Sequence, residues 1–126
     1  MAPMAALRIQ RLTRRPEFLA VAATSLRYAT RSVVVQARPA DQGGDPGVAA
    51  RFGFTATRKL GGAVQRNRAR RRLKAAAAAL APAHAKAGTD YVFVARAGVF
   101  DRSWPDLLRD VAQAMDRAPV TRDRRR

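Results

Sequence analysis

Apolar positions along the chain recur with two periods, and the two periods divide it into three strands and three helices. Over 48–57, Phe52, Phe54 and Ala56 alternate with Gly53, Thr55 and Thr57, which predicts a half-buried strand with one apolar face and one small, polar face. A flat face of Gly and Thr lets a ligand backbone approach closely or simply meets solvent. Val33, Val34 and Val35 centre a β-branched run over 32–37, a second strand, and YVFVARA over 91–97 is a third. Phe18, Val21, Ala22 and Ser25 recur at helical spacing behind Pro16 and Glu17, residues suited to a first helical turn, so a helix is expected over about 15–26. The longest helical pattern covers about 63–80, with Ala69, Leu73, Ala76 and Leu80 in one narrow arc. Its alanine run, 75–79, has strong helix propensity without bulk and implies close packing against a sheet. Pro82 should end that helix, leaving 82–89 as a break. Ser103, three residues before Asp106, resembles a capping box for a last helix whose stripe is Trp104, Leu107, Leu108, Val111 and Met115.

The segments between are loops by composition, chiefly PADQGGDPG over 39–47. Residues 1–13 read as a basic lead-in and 118–126 as a disordered basic tail. With no internal repeat and no long linker, 1–126 is expected to be a single domain. Hydrophobic residues make up 48% of the chain, enough for a modest core. The absence of Cys excludes disulfides and thiolate zinc sites and suits a reducing cytoplasm. No apolar run is long enough to span a membrane. The Arg-rich, acid-poor N-terminus also has the look of a mitochondrial presequence, and Met4 is an alternative start.

Charge changes the picture most. The net charge is +16, a balance typical of nucleic-acid binders, although a GC-rich genome would also raise Arg. Such a bias does not clear acids from one stretch while clustering bases there. Between Asp45 and Asp90 there is no Asp or Glu, and within that gap lies RNRARRRLK, residues 66–74. On a helix, Arg66/Arg70, Arg68/Arg72 and Arg70/Lys74 are like charges at i,i+4, each pair costing about 0.2–0.5 kcal/mol. Arg66, Asn67, Arg70, Arg71 and Lys74 should face outward, and Arg68 and Arg72 should flank the apolar seam on its other side. A solvated face is the ordinary reading of such a run; the missing acids make a polyanion the better one. Asn67 is a mediocre helix former placed to hold a neighbouring Arg or reach a ribose hydroxyl. Gly61 and Gly62 before the helix are a weak phosphate signal beside their reading as a flexible turn. His84 falls in a loop and gets no role. Metal-assisted phosphodiester cleavage wants clustered carboxylates, and nothing in the spacing of Asp41, Asp45 or Asp101 suggests a cluster, so no catalytic or metal-binding residue is assigned.

The 24 residues RFGFTATRKLGGAVQRNRARRRLK, 51–74, resemble the signature of the bacterial ribonuclease P protein subunit. The matching positions are Arg51, Arg58 and Lys59, Gly61, Ala63 and Val64, Arg66, Asn67 and Arg68, Arg70 and Arg71, and Lys74. Pro16, Glu17 and Phe18, then Asp90 and Tyr91, then Ala95 and Arg96 extend the likeness in the right order. The resemblance implies an α/β (α+β) two-layer sandwich of about four strands. Its basic helix would sit in a strand–helix–strand unit with a left-handed crossover, where general rules expect a right-handed one. It also implies a function: an RNA-binding subunit that assists a catalytic RNA in removing the 5′ leader of precursor tRNA, in the bacterial cytoplasm. Arg51, Arg58, Lys59, Arg66, Asn67, Arg68, Arg70, Arg71 and Lys74 would meet the RNA subunit. A cleft including Phe18, Val34, Gln36 and Thr55 would hold the leader. The protein itself would bind no cofactor; Mg²⁺ would sit at the RNA active site.

Two departures stand out. Ala22 and Gln36 occupy positions where family members often carry Phe and Tyr. Base stacking on an aromatic ring is worth about 1–3 kcal/mol, so leader binding here should lean on charge and hydrogen bonds. Composition and size alone fit a structural RNA-binding protein of the ribosomal type equally well, and a nucleoid DNA-binder is a third reading.

Overall fold

The computed structural model describes residues 9–122. In chain order its elements are β1 (Ile9–Arg11), α1 (Arg15–Ala22), β2 (Arg27–Ala29), β3 (Val33–Arg38), β4 (Ala50–Thr55), α2 (Ala63–His84), β5 (Thr89–Ala95) and α3 (Trp104–Arg117). The strands form one sheet in the order β1-β4-β5-β3-β2. β4 and β5 are parallel neighbours, which requires a crossover, and α2 supplies it. β1 joins β4 in parallel, while β3 runs antiparallel to β5 and to β2. The fold is the expected α/β sandwich, with five strands instead of about four.

Alternation assigns each strand residue to a face. Val33, Val35, Phe52, Tyr91 and Phe93 point to one side, where Ala69, Leu73, Ala76 and Ala77 of α2 and Leu107, Val111 and Met115 of α3 close the main core. The alanines bring α2 close to four aromatic rings. Phe54 stacks on Phe93 with centroids 4.9 Å apart, and Phe52 meets Phe93 edge-on at 5.1 Å. The other side carries Val92 and Val94, over which Leu12, Phe18 and Val21 pack as a smaller cluster. Thus α1 lies on the sheet face opposite α2 and α3, which adds a helical layer to the two expected.

Several expectations change. Residues 9–11 of the basic lead-in are an edge strand, and Leu12 behind them is core. The first helix ends at Ala22, because Ser25 adopts a left-handed conformation (φ 62°) that turns the chain into β2. The long helix continues through Pro82 to His84. A proline in the last turn forfeits one hydrogen bond, and the Ala85 amide still closes on the Ala81 carbonyl at 3.0 Å. Ser103 caps α3 as expected, accepting a 3.3 Å hydrogen bond from the Asp106 amide. Trp104, in the first turn, is 42% exposed and leaves the apolar stripe to its successors. Within the expected tail, Ala118 and Pro119 are buried, the Thr121 carbonyl accepts from the Arg27 amide, and Arg122 bridges to Leu26. Only 123–126 of that tail lie outside the described residues.

Candidate nucleic-acid interface

The basic helix is set by its opposite face. Ala69, Leu73, Ala76 and Ala77 are fully buried against the sheet, so the charged positions between them have nowhere to go but outward. Arg58 and Lys59 are exposed in the 3-10 turn Arg58–Leu60, just after β4, and α2 begins behind Gly62 with no side-chain cap. Asn67, Arg68 and Arg71 are exposed, and Arg66, Arg70 and Lys74 are half-buried. Among the described residues, none of these cations pairs with a carboxylate. Instead the helix organises its own charges. Asn67 Oδ1 accepts a 2.7 Å hydrogen bond from Arg70, which gives the mid-helix Asn its reason. Arg68 stands 5.8 Å over the Phe100 ring, and Arg72 donates to the Val99 carbonyl. Arg66 Nε is buried without a hydrogen-bond partner among the described residues.

Arg51, expected to meet RNA, is engaged within the protein. Its Nε and Nη2 donate to the two oxygens of Asp90, each at 2.8 Å, and Nη1 donates to Glu17 at 3.3 Å. Asp90 is fully buried, and Arg38 reaches it from the neighbouring strand at 3.4 Å. Register explains the cluster: Arg38, Asp90 and Arg51 are direct cross-strand partners on β3, β5 and β4. The Asp90 hydrogen bonds raise the Arg51 pKa above its already high ordinary value. On α1, the amides of Arg14 and Thr13, with Arg51 adding to them, hold the Glu17 carboxyl below the usual glutamate range. This network pins the start of α1 to the sheet.

One row along the same face stand Gln36, Val92 and Gly53; the next row holds Val34, Val94 and Thr55. Phe18 lies over Gly53. The structure therefore brings the four expected cleft residues, Phe18, Val34, Gln36 and Thr55, onto one surface beside α1. At normal strand spacing Val34 and Thr55 are about 10 Å apart. Val34 is buried and the other three are half-buried. Ala22 is exposed at the end of α1. On the face of Gly53, Thr55 and Thr57 noted in the sequence, Gly53 meets the Phe18 ring, while Thr55 is half-buried and Thr57 is exposed.

A family model described as Ribonuclease P matches residues 7–119. The chain belongs to the ribonuclease P protein family. It is 47% identical over 109 residues to the ribonuclease P protein component of Caulobacter vibrioides, covering 86% of this chain and 70% of that one. It is 43% identical over 112 residues to that of Paramagnetospirillum magneticum, covering 89% and 84%. The solved RNase P protein of Thermotoga maritima has the same fold, with a TM-score of 0.70 at 24% identity over 86% of this chain and 96% of that one.

Within this ribonuclease P family chain, sequence reasoning missed the work of the acids. Asp110 is buried, accepts a 2.8 Å hydrogen bond from Ser32, and is held by two donors of Arg102, whose pKa it raises. Asp116 meets His84 Nδ1 at 2.8 Å, so the histidine without an assigned role ties α2 to α3. The available signal was scarcity: in a chain with nine acids and a net charge of +16, an acid inside a strand or helix is worth testing as a partner for Arg. Among the described residues no group of three or more His, Asp or Glu side chains is arranged to hold a metal ion, and no helix is long and apolar enough to cross a membrane.

Proposed function

We propose that this chain is the RNA-binding subunit of a bacterial ribonuclease P, acting in the cytoplasm on precursor tRNA together with a catalytic RNA. The observation that carries the reading is the run of cations from Arg58 to Lys74 on the outward face of one helix and its leading turn, none of them paired with a carboxylate among the described residues. That face would neutralise phosphates of the RNA subunit, with Arg66, Arg70, Arg71 and Lys74 as its main contacts. The surface beside α1, with Phe18, Val34, Gln36 and Thr55, would take the single-stranded 5′ leader. The two surfaces lie on opposite faces of the sheet, and Arg58 and Lys59 stand where the chain passes from one to the other. Chemistry belongs to the RNA, whose bound Mg²⁺ would activate the attacking water. The carboxylates of Asp90, Asp110 and Glu17 are engaged with Arg side chains.

The test is reconstitution. Adding the protein to a bacterial ribonuclease P RNA at low Mg²⁺ should increase cleavage of precursor tRNA at the mature 5′ end. The RNA-free protein should cleave nothing. Correct 5′ cleavage by the protein alone, or no stimulation of the RNA, overturns the reading; the latter result is what a ribosomal-type RNA binder would give.

A further inference from the structure

Where α2 passes over the open edge of the sheet, its side chains shrink to methyls. β1 is a three-residue edge strand, and position 78 of α2 is alanine, so the space between them is not filled. A groove of about 360 Å³ results, lined by Ile9, Phe54, Ala78 and Pro82 together with two cations, Arg11 of β1 and Lys74 of α2. That volume lies within the range of small-ligand pockets. Phe54 is the half-buried ring of the aromatic cluster, and among the described residues no carboxylate lines the groove. Neither Arg11 nor Lys74 pairs with an acid among the described residues.

These features select among occupants. A peptide or acyl chain would cover the apolar lining but leave two cations without counter-charge. A base-paired duplex offers phosphates, but its bases are stacked and paired and cannot enter. A single unstacked nucleotide offers both a flat apolar ring and an anionic edge. Lys74 also closes the outward arc of α2, so the groove is continuous with the face assigned to the RNA subunit. We propose that this groove receives one unstacked nucleobase of the RNA subunit, with Arg11 and Lys74 holding its flanking phosphates. The proposal rests on the reading of α2 as the docking face and adds a base-accepting site to it.

The experiment has two arms. In the first, the free protein is titrated with 5′-AMP, adenosine and inorganic phosphate while the resonances of Ile9, Phe54 and Ala78 are followed by NMR. AMP should move all three and bind about tenfold tighter than either fragment, since stacking and charge each contribute. If phosphate alone reproduces the shifts, the site is only a basic patch and the proposal fails. If AMP moves these residues only after residues 2–7 are deleted, the groove seats the chain's own N-terminal segment and the proposal also fails. In the second arm, Ala78→Trp fills the groove without removing a cation. Its affinity for the ribonuclease P RNA should fall about tenfold while the salt slope stays unchanged. Ala78→Leu should give a smaller loss in the same direction, and it covers the case in which the larger ring unfolds the protein. Unchanged affinity in a folded Ala78 variant overturns the proposal. The α2 face is tested separately by removing its cations: if that leaves RNA binding intact, the reading of α2 fails, whereas a silent Ala78 variant beside an intact α2 effect removes the groove alone.

Discussion

The ring of Phe18 occupies the space that a side chain at Gly53 would need. A Cβ built on Gly53 would stand 2.7 Å from two ring carbons of Phe18 and 3.1 Å from Cβ of Leu12. This seat, together with the Glu17–Arg51–Asp90 chain beside it, fixes the height and position of α1 over the sheet. Whatever lies in the cleft beside α1 therefore meets a surface whose shape depends on a missing methyl group.

Gly53→Ala should lift the Phe18 ring off β4. Overpacking of this kind costs about 1–3 kcal/mol, readable as a lower Tm. Affinity for leader-bearing precursor tRNA should fall, while affinity for the RNA subunit, which the reading places on the opposite face, should stay the same. A variant with wild-type stability and wild-type leader affinity would show that the Phe18 seat does not shape the cleft.

Gln36→Tyr adds a ring to the row that contains Val92 and Gly53. Gln36 is half-buried, so an aromatic there keeps an accessible face. Binding of leader-bearing precursor should strengthen by about 1–3 kcal/mol, with mature tRNA unchanged. An equal gain for both RNAs, or none, would move the leader elsewhere.

Arg51→Gln separates a structural arginine from an RNA contact. Among the described residues, it leaves buried Asp90 with only Arg38 as counter-charge. Breaking a buried pair in this way costs about 3 kcal/mol, a Tm drop of roughly 10 °C for a chain of this size. The salt dependence of RNA binding, measured on the folded variant, should keep its slope. A slope reduced by about one unit with an unchanged Tm would return Arg51 to the RNA-contacting set.

Replacing Arg66, Arg70, Arg71 and Lys74 together with Gln keeps helix propensity and removes like-charge repulsion, so the free protein should fold at least as well. If each residue neutralises one phosphate, the log–log slope of affinity against salt should shrink by roughly 3, and binding to the RNA subunit should collapse. Removing Arg124, Arg125 and Arg126 serves as the control and should weaken binding less and without specificity. Unchanged affinity and slope in the four-Gln variant would make this helix a solvated face.

Glu17 sets an acid limit on the seat of α1. Its carboxyl titrates below a glutamate's ordinary 4.5 because the folded state presents the amides of Arg14 and Thr13 and, more weakly, Arg51. A lowered folded pKa means that its stabilisation is present above the unfolded value and is lost as pH falls through the folded one. Thermal melts should therefore show a loss of Tm beginning near pH 4.5 and deepening below it, and Glu17→Gln should shallow that fall.

What the chain declares by itself is whatever repeats locally. β3, β4, β5, α2 and α3 are legible because each carries enough apolar positions, at period two or period 3.6, to specify a face without reference to its neighbours. The cations of 58–74 are legible for a related reason: a charge run states its own need for a counter-charge. β1 and β2 are three residues each, too short to show a period, and they become strands because β4 and β3 offer open edges to pair with. Ser25 looks helical by spacing and is left-handed because the chain must turn back onto β3. The tail residues near Ala118 read as disordered by composition and are buried by contacts far away in sequence. Arg51 is the sharpest case. Its place in a basic signature marks it as an RNA ligand, yet its register opposite Asp90 engages its guanidinium within the protein. Only the tertiary structure decides this, because an arginine takes whichever anion lies within reach, and register, which no local pattern encodes, puts Asp90 there.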